Sequence, residues 1–313
     1  MRRYGAVPRD LRGYAGKPPN LVWPNGARVA VSVVVNVEEG AELSLADGDE
    51  RNEHVHEITE RLEGVPDLCM ESHFAYGTRA GYWRVMEVLE RHGVEATMNA
   101  AGRAVERSPW LIADAHARGH EIGAHGWRWE RQAEVAEAEE RALIERTVEA
   151  IRSVTGERPV GWHSRGSASV RTRRLLVEDG GFLYDSDAYD DDLPYVALVD
   201  GTPHLVLPYA FDTNDMRFFA QGGFVFADDF ARYGRDAFDH LWDEGATAPR
   251  MMTLGLHLRI IGRPGRIAGL DRLLAQMHAK GGVWFASRAR IARHARAAFG
   301  LDDAATSWPH GRT

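Results

Sequence analysis

The feature that most constrains this chain is a repeated pattern: short apolar runs that end in clusters of ionisable residues. Residues 28–35 run into Asn36-Val37-Glu38-Glu39-Gly40, 121–124 into His125-Gly126, 159–162 into His163-Ser164-Arg165, 182–184 into Asp185-Ser186-Asp187, and 251–256 into His257-Leu258-Arg259. Runs of this length, rich in β-branched residues, suit strands buried on both faces. If helices lay such strands side by side in parallel, all their carboxyl ends open on one face, where side chains distant in sequence converge. The pattern predicts an enzyme.

The segments between these runs read as helices. Residues 79–92 place Tyr82, Val85, Met86 and Leu89 on one face and stop at Gly93, ahead of a strand over 94–99. Ser108-Pro109 opens a helix that Gly119 ends. Further helices fall at 134–154, 169–178, 228–244, 267–279 and 288–299, and further strands at 205–209 and 283–285. The alternation predicts an α/β fold, a single-domain distorted (β/α) barrel of about seven parallel strands. Its catalytic domain spans 27–300. Residues 1–26, rich in Pro, Gly and Arg, read as an extended N-terminal arm, 41–75 as a long polar loop, and 301–313 as a loose C-terminal tail.

Composition narrows the function. With 44% hydrophobic and 27% charged residues, the 313-residue chain can bury a sizeable core. A net charge of −8 without a basic stripe argues against a nucleic-acid partner. The single Cys69 excludes an internal disulfide and a four-thiolate zinc site. No run of about 18 apolar residues occurs, so the expected setting is cytoplasmic, without a membrane partner.

Glu38 and Glu39 are adjacent and on an extended strand would point to opposite faces, but at a strand end leading into Gly40 both can turn toward the mouth. Paired carboxylates there divide labour, one as general base and one as a binding group; a solvated acidic loop is the competing reading. His125 and His257 each follow an apolar run. One such histidine suits a structural role, whereas two at different strand ends, with carboxylates at a third, point to a site. His54, His73, His120 and His204 sit on loops or beside elements and take the structural reading. Asp185, Asp187 and residues 190–192 read as a solvated acidic run, and Asn214-Asp215 as loop-borne polar positions. Trp127, Trp129, Trp162 and Tyr195 could wall a small pocket.

Longer segments carry a family likeness: Pro8-Arg9-Asp10, Asn36 through Gly40, Tyr76-Gly77-Thr78-Arg79-Ala80-Gly81, Gly119 through Trp129, Tyr184 through Tyr195, Asn214 through Phe218, and Gly255 through Arg266. On these the chain resembles the polysaccharide deacetylase (NodB-homology) superfamily, and within it the metal-independent branch of PuuE-type allantoinases and cyclic imide hydrolases. The resemblance implies the NodB-like barrel and a set of roles. Glu38 falls at the position of the catalytic base and Glu39 at that of a metal-binding aspartate. Metal-binding members use two histidines four residues apart; His125 matches the first, but Trp129 stands at the second. Losing one of three protein ligands leaves a poor zinc site, so no metal and no cofactor is expected. His257 matches the late histidine that protonates the leaving group. Arg165 lies near the superfamily's arginine motif, although His163-Ser164-Arg165 departs from the Thr-Gly-Arg style of the allantoinase branch.

The reaction implied is ring-opening hydrolysis of a small cyclic amide, ureide or imide, with the oxyanion held by Arg165, His125 or backbone amides. The expected catalytic residues are Glu38, His125 and His257. The expected substrate-binding residues are Glu39, Trp129, His163, Arg165, Asp187, Tyr195, Asn214, Asp215 and Arg259. The 41–75 segment is then a lid or a subunit contact, and relatives of this type imply a homo-oligomer, a tetramer, acting on a small molecule. The alternative is a metal-dependent polysaccharide or amino-sugar N-deacetylase, with zinc held by a set such as Glu39, His125 and His163.

Overall fold

The apolar runs become strands β1 (Val29–Val37), β2 (Thr97–Ala100), β3 (Glu121–Ala124), β4 (Gly161–Trp162), β5 (Tyr184–Asp185), β6 (Tyr195–Val199), β7 (Thr202–Val206), β8 (Arg250–His257) and β9 (Val283–Phe285). The computed structural model describes residues 10–19, 21–55, 57–58 and 60–301. Among these residues the nine strands form one curled sheet, an α/β half-barrel in a single domain. β1 is its hub. It is buried along its whole length, because one edge pairs in parallel with β8 from Val29 to Asn36. The other edge pairs with β9 at Val29–Val31 and then with β2 at Val34–Val37. From β2 the sheet runs in parallel through β3, β4 and β5 to β7, and β6 closes the far edge as an antiparallel partner of β7.

Alternation along β1 and β8 sorts their side chains onto two faces. Val29, Val31, Val33, Val35 and Val37 of β1, with Met252, Leu254 and Leu256 of β8, pack into a large cluster beneath Tyr82, Val85 and Leu89 of the helix Tyr82–Arg91 and Leu270, Leu273 and Leu274 of the helix Pro264–Lys280. Each fully buried Val or Leu there contributes about 1.5–3 kcal/mol. The opposite set, Ser32, Val34 and Asn36 with Thr253, Gly255 and His257, faces the barrel interior. Polar groups line that interior, and apart from the buried Ser32 hydroxyl, which finds no partner among the described residues, those beneath the site are paired. The fully buried Arg288 donates to Ser186 Oγ at 2.9 Å, to Thr253 Oγ1 at 3.0 Å and to the Leu207 carbonyl. Glu121 accepts from Thr97 Oγ1 at 2.7 Å and Tyr184 Oη at 2.9 Å. Such a satisfied floor rigidifies the site above it.

Three segments differ from the sequence reading. The strand expected at 205–209 is the second arm of a hairpin whose first arm, β6, contains Tyr195 and turns back through Asp200-Gly201. The polar stretch 41–75 includes the start of a helix, Leu68–Tyr76, whose N-cap Asp67 accepts from Met70 N at 2.9 Å. That helix continues through a π-helical turn, Gly77–Gly81, into Tyr82–Arg91. The arm is docked where it is described: Leu21 and Trp23 are buried, and Trp23 Nε1 donates to Arg250 O at 2.8 Å. Residues 1–9 of the arm, and all of the expected tail but Leu301, lie outside the described residues. No helix among the described residues is long and apolar enough to cross a membrane.

Candidate active site

The interior-facing period of β1 that places Asn36 also places Glu38 one step higher, at the carboxyl end of the strand. Asn36 is the register partner of His257 on β8 and of Asn99 on β2. Its Nδ2 donates to Tyr209 Oη at 3.1 Å and lies 3.3 Å from His257 Nε2, while its Oδ1 accepts from Asn99 Nδ2 at 3.4 Å. Gly255 has room only for hydrogen, since a Cβ there would lie 2.5 Å from both Asn214 Nδ2 and Tyr209 Oη. This polar layer supports the ring of charged groups above it.

Glu38 is at the centre of that ring and is 3% exposed. Its Oε2 accepts from Arg259 Nη1 at 2.8 Å and lies 4.0 Å from His257 Nε2; its Oε1 lies 3.4 Å from His125 Nε2 and 3.9 Å from Arg165 Nε. Burial pushes its pKa up, but Arg259, His257, His125 and Arg165 together outweigh burial and hold it well below the usual carboxylate range. His125 donates from Nδ1 to His163 O at 2.7 Å, which fixes its tautomer, and burial holds its pKa down. A neutral His125 therefore turns an Nε2 lone pair toward Glu38, so two acceptors converge. A water that donates to both is held with its oxygen free to attack.

His257 is oriented from behind. Its Nδ1 donates to Asp215 Oδ1 at 2.7 Å, and its backbone N–H donates to Asp215 Oδ2 at 2.8 Å. Burial lowers the pKa of this ring, but Asp215 and Glu38 more than offset that and raise it above the ordinary histidine value. The Asn36 Nδ2 contact suits the neutral ring, whose Nε2 then accepts. The group can both carry and deliver a proton at Nε2.

These side chains open on one cavity of ≈900 Å³, lined also by Trp129, His163, Asp187, Tyr189, Tyr209, Asn214 and, from the polar loop, Glu53, His54, Val55 and Glu57. Arg165 lies flat on Trp129, with Cζ 3.1 Å from the ring centroid, and donates no hydrogen bond among the described residues. His163 stacks between His125 and Tyr209, at centroid distances of 5.3 and 4.4 Å. Asp187 spends both oxygens on Ser164, accepting from its N and its Oγ at 2.7 Å each. Asn214 caps the following turn by accepting from Met216 N at 2.9 Å.

Three expected binding residues are placed elsewhere. Glu39 faces away from the cavity, as its neighbour's inward direction requires on a strand. Its Oε1 accepts from Arg259 N at 3.2 Å and its Oε2 from Glu38 N at 3.1 Å. It packs on Gly77, where a Cβ would lie 2.2 Å from Oε1, and burial pushes its pKa up to about 7 against the pull of Arg259. Asp215 is fully buried behind His257. Tyr195 lies in the hairpin and donates to Asp190 at 3.2 Å, outside the cavity lining. Three contributors were not singled out from sequence: Asn36, Tyr209 and Glu57. Asn36 carried a signal, a polar residue in phase with Glu38 inside a valine run. Glu57, one acid among many in a polar loop, carried none.

A zinc set of Glu39, His125 and His163 does not fit this geometry. Glu39 is on the far side of its strand, Trp129 and the stacked Arg165 fill the neighbouring space, and two guanidinium groups flank Glu38. Among the described residues, no group of three or more His, Cys, Asp or Glu side chains is arranged to hold a metal ion.

Comparison with known proteins adds independent observations. A sequence profile described as Polysaccharide deacetylase matches residues 65–184. A Schizosaccharomyces pombe protein, provisionally named as a polysaccharide deacetylase, is 40% identical over 309 residues, covering 91% of this chain and 96% of its own. Two solved structures superpose with TM-scores of 0.89 over 93% of this chain and 98% of theirs: a provisionally named polysaccharide deacetylase from Pseudomonas aeruginosa PAO1 at 46% identity, and a PuuE allantoinase at 45%.

Proposed function

The chain belongs to the polysaccharide deacetylase family, and from that premise we propose that it opens a small cyclic amide, ureide or imide by hydrolysis without a metal. The observation that carries the reading is the convergence of Glu38, His125, Arg165, Arg259 and His257 on one cavity in which Trp129 stands at a ligand position of the metal-binding members. Glu38 takes a proton from the attacking water, and His257 delivers one to the departing nitrogen. Arg165, with its unengaged N–H groups, and Arg259 stabilise the oxyanion. An imide or ureide carbonyl is more electrophilic than an acetamide, which makes a Lewis acid dispensable. A cavity of this volume admits such ligands readily. The likeness to a PuuE allantoinase supports the ring-opening class.

The test is a substrate panel of allantoin, hydantoin, succinimide and phthalimide beside N-acetylglucosamine oligomers, with and without chelator. We expect ring opening of one or more cyclic substrates, unaffected by chelation, and a loss of about 10²- to 10⁴-fold in kcat for Glu38→Gln and for His257→Asn. Acetate release from the oligomers that requires added zinc would overturn the reading in favour of a metal-dependent deacetylase. The same reading takes the protein to be a cytoplasmic homotetramer, for which light scattering in solution is the direct measurement of assembly.

A further inference from the structure

Glu57 lies on the wall shared by the main cavity and a second one of ≈550 Å³. Its Oε1 accepts from Arg259 Nε at 3.0 Å, while Nη1 of the same guanidinium donates to Glu38 Oε2 at 2.8 Å. One buried cation thus serves two carboxylates. Arg259 cannot move aside, because its backbone N–H is held by Glu39 Oε1 at 3.2 Å and its Cζ sits 4.4 Å over the Phe74 ring. The same Oε1 of Glu57 also lies 3.8 Å from His73 Nε2. Arg263 Nη2 donates to His73 Nδ1 at 3.0 Å, which leaves the proton of a neutral His73 on Nε2, toward Glu57.

We propose that Glu57 is a positioning residue for the base: by neutralising one side of Arg259, it keeps Glu38 basic enough to take a proton from water. The inference rests on the reading of Glu38 as the general base. The groups that set the charge of Glu38 come from each element around it: His257 at the end of β8 and Arg259 just after it, His125 after β3, Arg165 after β4, and Glu39 beside it. Among these only Glu39 is acidic. An Arg259 with no second partner would spend its whole field on Glu38, and a carboxylate stabilised that strongly is a poor base. Glu57 walls the cavity together with Glu53, His54 and Val55, so the seating of that wall and the strength of the base are linked through one guanidinium.

The potential at position 38 can be read without substrate. In a Glu38→Cys, Cys69→Ser protein, thiolate absorbance against pH gives the acidity of the introduced thiol, and adding Glu57→Gln is expected to make that thiol on the order of tenfold more acidic. A thiol of unchanged or weaker acidity overturns the proposal. Because this titration needs no turnover, it stands even if no cyclic amide is hydrolysed, which separates its failure from that of the functional reading. In the otherwise native enzyme, Glu57→Gln is expected to lower kcat several-fold with KM within about twofold, and Glu57→Asp, which keeps the charge, to retain most of kcat. A change in KM alone, or equal losses in the two variants, overturns it.

Discussion

Asp215 and Glu39 are both buried carboxylates near the reacting centre, and their environments assign them opposite work. Asp215 accepts from both the ring and the backbone of His257 and raises the pKa of that ring. A general acid must be protonated, so activity falls as pH rises through the His257 pKa. Asp215→Asn removes the charge that raises it, and the basic limb of the kcat/KM profile is expected to move to lower pH; a limb that stays in place would dissociate Asp215 from proton delivery. Glu39 bears on stability. Its folded pKa of about 7 lies above that of an exposed glutamate, so its contribution to stability is whole below the exposed value and is lost as pH rises through about 7. Both its oxygens accept backbone N–H bonds, and Glu39→Gln forfeits one acceptor. The melting temperature of the native protein should exceed that of the variant most at acid pH, with the gap narrowing toward pH 7 when both are scanned by calorimetry.

At the scale of elements, the π-helical turn Gly77–Gly81 decides how closely the helical segment 68–91 approaches the end of β8. Gly77 leaves space for Glu39, and a Cβ on Gly81 would lie 2.2 Å from the Leu258 carbonyl. That carbonyl precedes Arg259, so the turn sets the height at which the guanidinium meets Glu38. Gly81→Ala must push backbone against backbone. The expected cost is about 1–3 kcal/mol of stability, measured by urea unfolding, with a loss of kcat larger than the loss of folded fraction because Arg259 moves with the strand end. An alanine variant with native stability and activity would mean that the two segments slide freely. The second glycine of the Tyr76–Gly81 motif thus has a mechanical reason to be small.

Across the whole molecule, the sequence disclosed what alternation and strand ends can disclose. The valine run of β1 announced a fully covered strand, and Glu38, His125 and His257 were legible because each ends such a run. Glu39 was misread because adjacency in sequence is opposition on a strand, and Gly40 comes one residue too late to turn it inward. The hairpin of β6 and β7 was passed over although its signal was present: the apolar run Tyr195–Val199 leads into Asp200-Gly201, a two-residue turn, rather than into a cluster of ionisable residues. Glu57 could not be found, since its importance lies in a partner 202 residues away.

The position of β1 has a consequence for how this protein is made. From Val29 to Asn36 β1 pairs with β8, and at its start also with β9, strands that begin at Arg250 and Val283. On a ribosome the valine-rich segment emerges early and waits for most of the polypeptide before these two neighbours exist. Until then β2 covers only one edge of its carboxyl-terminal half, and the rest is an aggregation-prone ribbon. A chain cut short after residue 249 is therefore expected to stay unfolded and to be captured by chaperones, however complete its first five parallel pairings and their helices, and circular dichroism of that fragment is the measurement. Nativeness in this molecule arrives late and all at once, when the last-made strands reach back to the first.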